Sequence, residues 1–319
     1  MAQGELKLTS RDELLYPPTD KSIYSWCETN YYGFNIPEHR LNGEVYVLLR
    51  PNLRTVVAGF FAWKGFKKTT LAAEYFDYQA HLPFPTTDLD DYELANGLKV
   101  KILAPLKKVR VDYVDENQDT EVHFISTGIM PPHRPGPRGH YDQAVKVDGE
   151  LVLRGEKYVI DGHFTRDRSW GSPRPEVQRS GPPMTWLVGV FGDDFAFHTM
   201  TYDDPAMGPE WAGAYQVSSP PASGYVYKDG VTRELVKSSK LTLRGPDGLE
   251  PRGAILELED DRGDKYSIKG EATAVLPWHT WPNMLCFMTQ MRWECGGRVG
   301  WGDFQDIHSN SHVVRFMKQ

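Results

Sequence analysis

The chain has 319 residues and a formal net charge of −7, from 36 Lys and Arg against 43 Asp and Glu. Its length allows two ordinary domains or one large β domain with a sizeable core, and its scattered cations argue against a nucleic-acid partner. Cys27, Cys286 and Cys295 are too few and too widely spaced for a disulfide framework or a CxxC metal site, and no stretch reaches the roughly 20 apolar residues of a membrane span.

The opening MAQGELKLTSRDELLYPP lacks the basic and apolar regions of a signal peptide, so a reducing cytoplasm is the expected location. Residues 1–22 are polar and proline-marked, which predicts a loose N-terminal arm. From Ser22 to Phe34 the pattern alternates. As a strand it would put Trp26, Glu28, Asn30, Tyr32 and Phe34 on one face. A carboxylate and an amide among aromatics suit a ligand cavity, or else an edge where the polar groups face solvent.

Short runs rich in Val, Phe, Tyr and Leu follow, at 44–50, 55–63 and 69–82, separated by Asn42-Gly43, Pro51-Asn52 and Lys64-Gly65. Asn96-Gly97 predicts a hairpin, and strands are expected at 107–114 and 120–130. The segment PPHRPGPRG at 131–139 reads as a loop over one end of a sheet. Gly139–Val147 and Glu150–Val159 are expected to pair across Asp148-Gly149, with His140, Tyr141 and Asp142 at the opening.

Then comes YVIDGHFTRDRSWGSPRPE, from Tyr158 to Glu176, where Asp161-Gly162 is a turn signal and two arginines, an acid and an indole crowd together. One reading is a clamp, in which Asp167 is held between Arg166 and Arg168, Trp170 plugs the core, and Gly171 and Pro173 turn the chain. The other makes Asp167 a buried proton-transfer acid tuned by its arginines and by Trp170. The remaining chain predicts hairpins across Gly192-Asp193-Asp194, Asp229-Gly230, Arg262-Gly263 and Gly296-Gly297. Pro277-Trp278-His279-Thr280-Trp281-Pro282 reads as a rigid lip or a pinned surface corner. Residues 303–311 read as loop, so His308 and His312 are poor evidence for a metal, and none is expected. No helix of three turns is evident, and about sixteen to twenty strands are expected. The fold class is therefore all-β, and meanders of this length close most naturally into two antiparallel barrels.

RDRSWG, preceded by an aromatic hairpin and GHYDQ, resembles the tandem lipocalin-like proteins of the AttH and carotenoid 1,2-hydratase superfamily, which includes kievitone hydratase-type enzymes and Diels–Alderases. The sharp part is Asp167-Arg168-Ser169-Trp170-Gly171 with Arg174, one step later than in the Asp-x-Ser-Trp-Gly-x-Arg pattern, and less closely Trp26-Cys27-Glu28. The strand count divides the chain into the arm at 1–22, a first barrel at 23–165 and a second at 166–319, with the boundary placed near residues 160–180, and the resemblance implies that both barrels are lipocalin-like. It also implies cofactor-free chemistry on a hydrophobic small molecule of terpenoid, steroid or aromatic type.

A hydratase needs an acid to protonate an alkene, a wall that tolerates a cation, and a placed water. Asp167 or Glu28 would be the acid, with Tyr141 and His140 as further catalytic candidates. Trp26, Asn30, Tyr32, Trp170, Arg174, His198, His279 and Trp281 are the candidate substrate-binding residues, and homodimerisation is left open. The alternatives are a noncatalytic carrier with every ionisable group paired, and an interaction protein with solid barrels.

Overall fold

The structure is a computed structural model that describes residues 7–136, 139–174, 181–217, 220–279, 281 and 283–317. It is almost entirely β. The strands are β1 (Trp26–Ile36), β2 (Leu41–Arg50), β3 (Thr55–Lys64), β4 (Tyr75–Pro83), β5 (Asp91–Glu93), β6 (Lys99–Ala104), β7 (Lys108–Asp115), β8 (Thr120–Gly128), β9 (Gly139–Leu153) and β10 (Glu156–Pro173). There follow β11 (Met184–Val190), β12 (Phe195–Thr201), β13 (Gly224–Lys228), β14 (Val231–Arg244), β15 (Pro251–Asp260), β16 (Lys265–Trp278), β17 (Met284–Cys295), β18 (Arg298–Ser309) and one short helix, α1 (Asn310–Phe316).

The first ten strands form one sheet in the order β4-β3-β2-β1-β10-β9-β8-β7-β6-β5, and β11 to β18 form a closed eight-stranded barrel. The tandem lipocalin-like architecture expected from the sequence is what folds. The barrel is filled by Phe191, Phe195, Phe197, Trp293 and Phe304 among others, and the first sheet packs Phe34, Phe60, Tyr75, Tyr113 and Phe124 against one another. Among the described residues no helix is long and apolar enough to cross a membrane.

The chain divides into two compact units that interleave in sequence: Met1–Ile36, Gly43–Phe61 and Tyr75–Pro175 against Pro37–Asn42, Ala62–Glu74 and Glu176–Gln319. Within the second unit, Gly65 and Lys67 exchange backbone hydrogen bonds with Val275, and Lys68 reaches Glu250 at 2.9 Å. The expected domain boundary at 165/166 falls inside β10, which continues to Pro173.

Several local expectations differ from the structure. Asp148-Gly149 is not a turn, because β9 runs unbroken through it and the chain reverses at Arg154-Gly155. Gly149 is there for close approach, since a Cβ would sit 2.1 Å from the His123 carbonyl oxygen. Asn42-Gly43 and Asp161-Gly162 likewise lie within β2 and β10. The arm is not loose over residues 9–16: a 3-10 turn at Ser10–Glu13 buries Asp12 and Glu13. Residues 303–311 are the end of β18 and the start of α1, not a loop.

Candidate active site

Strands β1, β10 and β9 lie side by side, with Tyr31 opposite Asp167 and Asp167 opposite Asp142. Because side chains alternate along a strand, β10 sends Arg166, Arg168 and Trp170 to one face and Asp167 and Ser169 to the other. The partners on β9 sort the same way: Gln143 and Tyr141 stand with the arginines, Asp142 and His140 with Asp167 and Ser169. Asp167 is therefore not clamped between its neighbours. The crowded run in the sequence is two separate clusters back to back.

The arginine face is held by ion pairs, although the buried Nε of Arg168 meets no hydrogen-bonding group among the described residues. Arg166 donates to Glu13 at 3.0 Å and to Gln143 at 2.8 Å, and the Tyr141 hydroxyl donates to Glu13 at 2.8 Å. Arg168 donates to Glu28 at 2.5 Å and to the Leu14 carbonyl, while the Tyr16 amide occupies the other Glu28 oxygen at 2.9 Å. Burial pushes the Glu13 carboxyl up, but Arg166 outweighs it and the net shift is down. For Glu28 burial outweighs Arg168 and the net shift is up. Trp170 is covered by Tyr16, whose ring stacks on it at 5.5 Å, and Arg168 lies over it at 5.6 Å. Asn30 and Tyr32 are buried, and burial raises the Tyr32 phenol.

A bulge separates this pair of strands near Trp170. Thr29 pairs with Ser169 and Cys27 with Ser172, so Trp170 and Gly171 together oppose Glu28. Gly171 has φ of +72°, which glycine adopts without strain and which lets β10 absorb the extra residue. Gly171 thus does bend the chain, as a bulge within a strand.

The opposite face carries a hydrogen-bonded chain of Ser169, His140 and Asp142. His140 Nδ1 lies 2.7 Å from the Ser169 hydroxyl and Nε2 lies 3.0 Å from Asp142, whose carboxylate is fully buried. Burial would lower the His140 pKa, but Asp142 outweighs it and the net shift is upward, so the imidazolium persists above its ordinary range. Asp167 stands in the next row with Oδ1 buried and without a hydrogen-bond partner among the described residues. Burial raises its pKa, His140 holds it back, Asp142 raises it further, and the carboxyl ends at about 6. Arg174 also bears on Asp167, and its guanidinium hydrogen-bonds Tyr46.

The remaining candidates lie elsewhere. Trp26 is partly buried at the start of β1. His198, His279 and Trp281 belong to the second unit: His198 is buried between Trp186 and Tyr225, His279 is exposed, and Trp281 is partly buried. Sequence reading missed Glu13, Tyr16 and Ser169. Glu13 and Tyr16 sit in an arm with no strand pattern, and only their partners in the fold reveal them. Among the described residues no group of three or more His, Cys, Asp and Glu converges as a metal site would.

These features define a two-unit lipocalin-like protein with a partly buried carboxyl on β10 beside a partly buried imidazole on β9. The chain belongs to a family described only as a domain of unknown function, DUF7064, whose model matches residues 9–311. Its fold matches solved structures along nearly the whole chain. CghA aligns with a TM-score of 0.59 at 12% identity, over 93% of this chain and 94% of that one. Kievitone hydratase from Nectria haematococca gives 0.56 at 13%, over 97% and 94%, and an AttH-type protein from Nitrosomonas europaea gives 0.57 at 12%, over 100% and 99%. No curated protein matches the sequence. The resemblance to the AttH superfamily read from RDRSWG is borne out as a shared fold.

Proposed function

We propose that the protein is a cofactor-independent lyase or isomerase of the hydratase, dehydratase or cyclase type, acting on a hydrophobic terpenoid, steroid or aromatic molecule, with Asp167 as its acid. One observation carries the reading. Among the carboxyls of β1, β9 and β10, Asp167 is the one with a buried oxygen left unpaired, and it titrates at about 6. A carboxyl at that value keeps its proton on the order of a tenth of the time at pH 7 and about half of it at pH 6, and in that form can give it to an alkene carbon.

In hydration the step balances simply. The Asp167 proton adds to one alkene carbon, water adds to the other, and the water's surplus proton returns to the Asp167 carboxylate. His140, held by Ser169 and Asp142, keeps a positive charge beside that carboxylate and limits how far its pKa rises. Arg166 and Arg168 make their hydrogen bonds to Glu13 and Glu28, and Arg168 acts on Asp167 only as a lesser, lowering charge after burial, His140, Asp142 and Arg174. Kievitone hydratase, named for a water-addition reaction, shares the fold and lends the reading support at that level.

The test is product analysis of a terpenoid, steroid and phenolic panel in ordinary and heavy-oxygen water. Turnover with label incorporated, or rearrangement without it, is expected for wild type and abolished in Asp167→Asn but not in Glu28→Gln. Binding without turnover of any panel member, unaffected by Asp167→Asn, would replace the enzyme with a carrier.

A further inference from the structure

The N-terminal arm is held against the first sheet by an unusual set of groups. Of residues 7–16 only Asp12 and Glu13 are buried, while Leu14, Leu15 and Tyr16 stay half-buried. An arm that completes a core is anchored by its apolar side chains. This one is anchored by a carboxylate, a ring and its own backbone.

Glu13 meets three donors from the body of the first unit: Arg166 of β10 at 3.0 Å, the Tyr141 hydroxyl of β9 at 2.8 Å and the Leu106 amide at 2.8 Å. The next three residues each use a main-chain group. Arg168 donates to the Leu14 carbonyl at 2.9 Å, the Leu15 amide donates to Asp88 at 2.8 Å, and the Tyr16 amide donates to Glu28 at 2.9 Å. The Tyr16 ring then stacks on Trp170, which packs edge-on against Tyr141 at 6.1 Å. The carboxylate pocket and the ring platform therefore adjoin through Tyr141. Main-chain bonds from consecutive residues, one charged anchor and one aromatic platform are how a protein binds a peptide.

The segment is also braced from within. Asp12 accepts from the Thr9 amide at 2.7 Å and from the Tyr16 hydroxyl at 2.8 Å, and Arg11 donates to the Leu15 carbonyl at 2.7 Å. A peptide with its shape built in loses less freedom on binding. With so little apolar burial the segment belongs to the part of a fold that opens most readily. Outright release would leave Arg166, whose side chain is 2% exposed, without its carboxylate, but exchange for another glutamate-bearing segment keeps the ion pair. The room for such a segment is the room the strap itself fills.

We propose that this face of the first sheet is a peptide-recognition groove kept shut by the chain's own strap, residues 9–16, and that the partner it fits is an acidic segment carrying a glutamate and, three residues later, an aromatic ring. Glu13-Leu14-Leu15-Tyr16 is the template. A tethered strap competes at an effective concentration on the order of millimolar, so whatever loosens it tightens the partner. The groove lies on the face of β10 opposite Asp167 and does not depend on that residue being catalytic.

The probe is the peptide TSRDELLY, residues 9–16, with an N-terminal fluorophore and a C-terminal amide, added to the whole protein. Anisotropy should show saturable binding, weakened at least tenfold in the peptide carrying Glu13→Gln. At saturation the Leu15 and Tyr16 amides of the protein's own strap should exchange hydrogen at least threefold faster. The protein with Tyr16→Ala, whose strap has lost its ring from Trp170, should bind the peptide at least threefold more tightly. Should that variant not fold, Glu13→Gln in the protein decides in the same way. No saturable binding to either protein, equal binding of the two peptides, strap exchange unchanged at saturation, or no gain in affinity from a loosened strap would overturn the proposal.

Discussion

Asp167→Asn tests the central acid through stability as well as activity. A carboxyl moved from its ordinary 3.8 to about 6 by the fold is disfavoured as a charge in the native state. At about 1.36 kcal/mol for each unit, the penalty reaches on the order of 3 kcal/mol. The sign follows from the direction of the shift. Because the folded pKa is raised, the group's contribution to stability is fully present below pH 3.8 and is lost as pH rises through 6. Asparagine cannot ionise, so the variant should gain on wild type with rising pH, by about 2 kcal/mol between pH 4.5 and pH 8. Urea unfolding of both proteins at pH 4.5, 6 and 8 measures this. Over the same range wild-type turnover should fall as the acid is lost above pH 6, and the variant should have none. A stability difference that is flat with pH, or that favours wild type more at pH 8 than at pH 4.5, would refute the raised carboxyl and with it the acid's role.

Glu13→Ala leaves Arg166 buried without its carboxylate, and urea unfolding should show a loss of about 3–5 kcal/mol, with Glu13→Ala/Arg166→Met recovering part of it. Gly149→Ala drives a Cβ to 2.1 Å from the His123 carbonyl oxygen and should cost more than about 3 kcal/mol. Gly65→Ala, with φ of +59° and nothing within 4 Å, should cost only about 1 kcal/mol in the same unfolding assay.

The fold class was legible because β alternation and turn residues are local signals. The Asp229-Gly230 and Gly296-Gly297 hairpins form where the sequence placed them. Asp148-Gly149 did not form a turn because glycine serves two ends, left-handed backbone and close approach, and the dipeptide alone does not say which. Gly149 has no positive φ and lies against His123 and Phe124. At the site, the acid and the indole were visible as types in one run of residues, and the imidazole in GHYDQ on the preceding strand. Their division between two faces depends on β10 being one strand through Pro173, which the Asp161-Gly162 signal concealed. Glu13 was illegible for a different reason: its partners Arg166 and Tyr141 lie 153 and 128 residues away.

The interleaving of the two units has a consequence for synthesis. The polypeptide passes from one unit to the other at 36/37, 42/43, 61/62, 74/75 and 175/176. Residues 62–74 leave the ribosome well before Glu250 and Val275, the groups they bind. At roughly 5–20 residues per second, the intervening chain of about 180 residues takes on the order of 10–40 seconds to make. For that interval Phe66 and Lys68 have no barrel to join. A fragment beginning at residue 176 would conversely assemble its barrel without the segment that bonds Val275 and Glu250. The two halves are tandem in architecture, yet neither is a contiguous piece of chain that can be cut out whole.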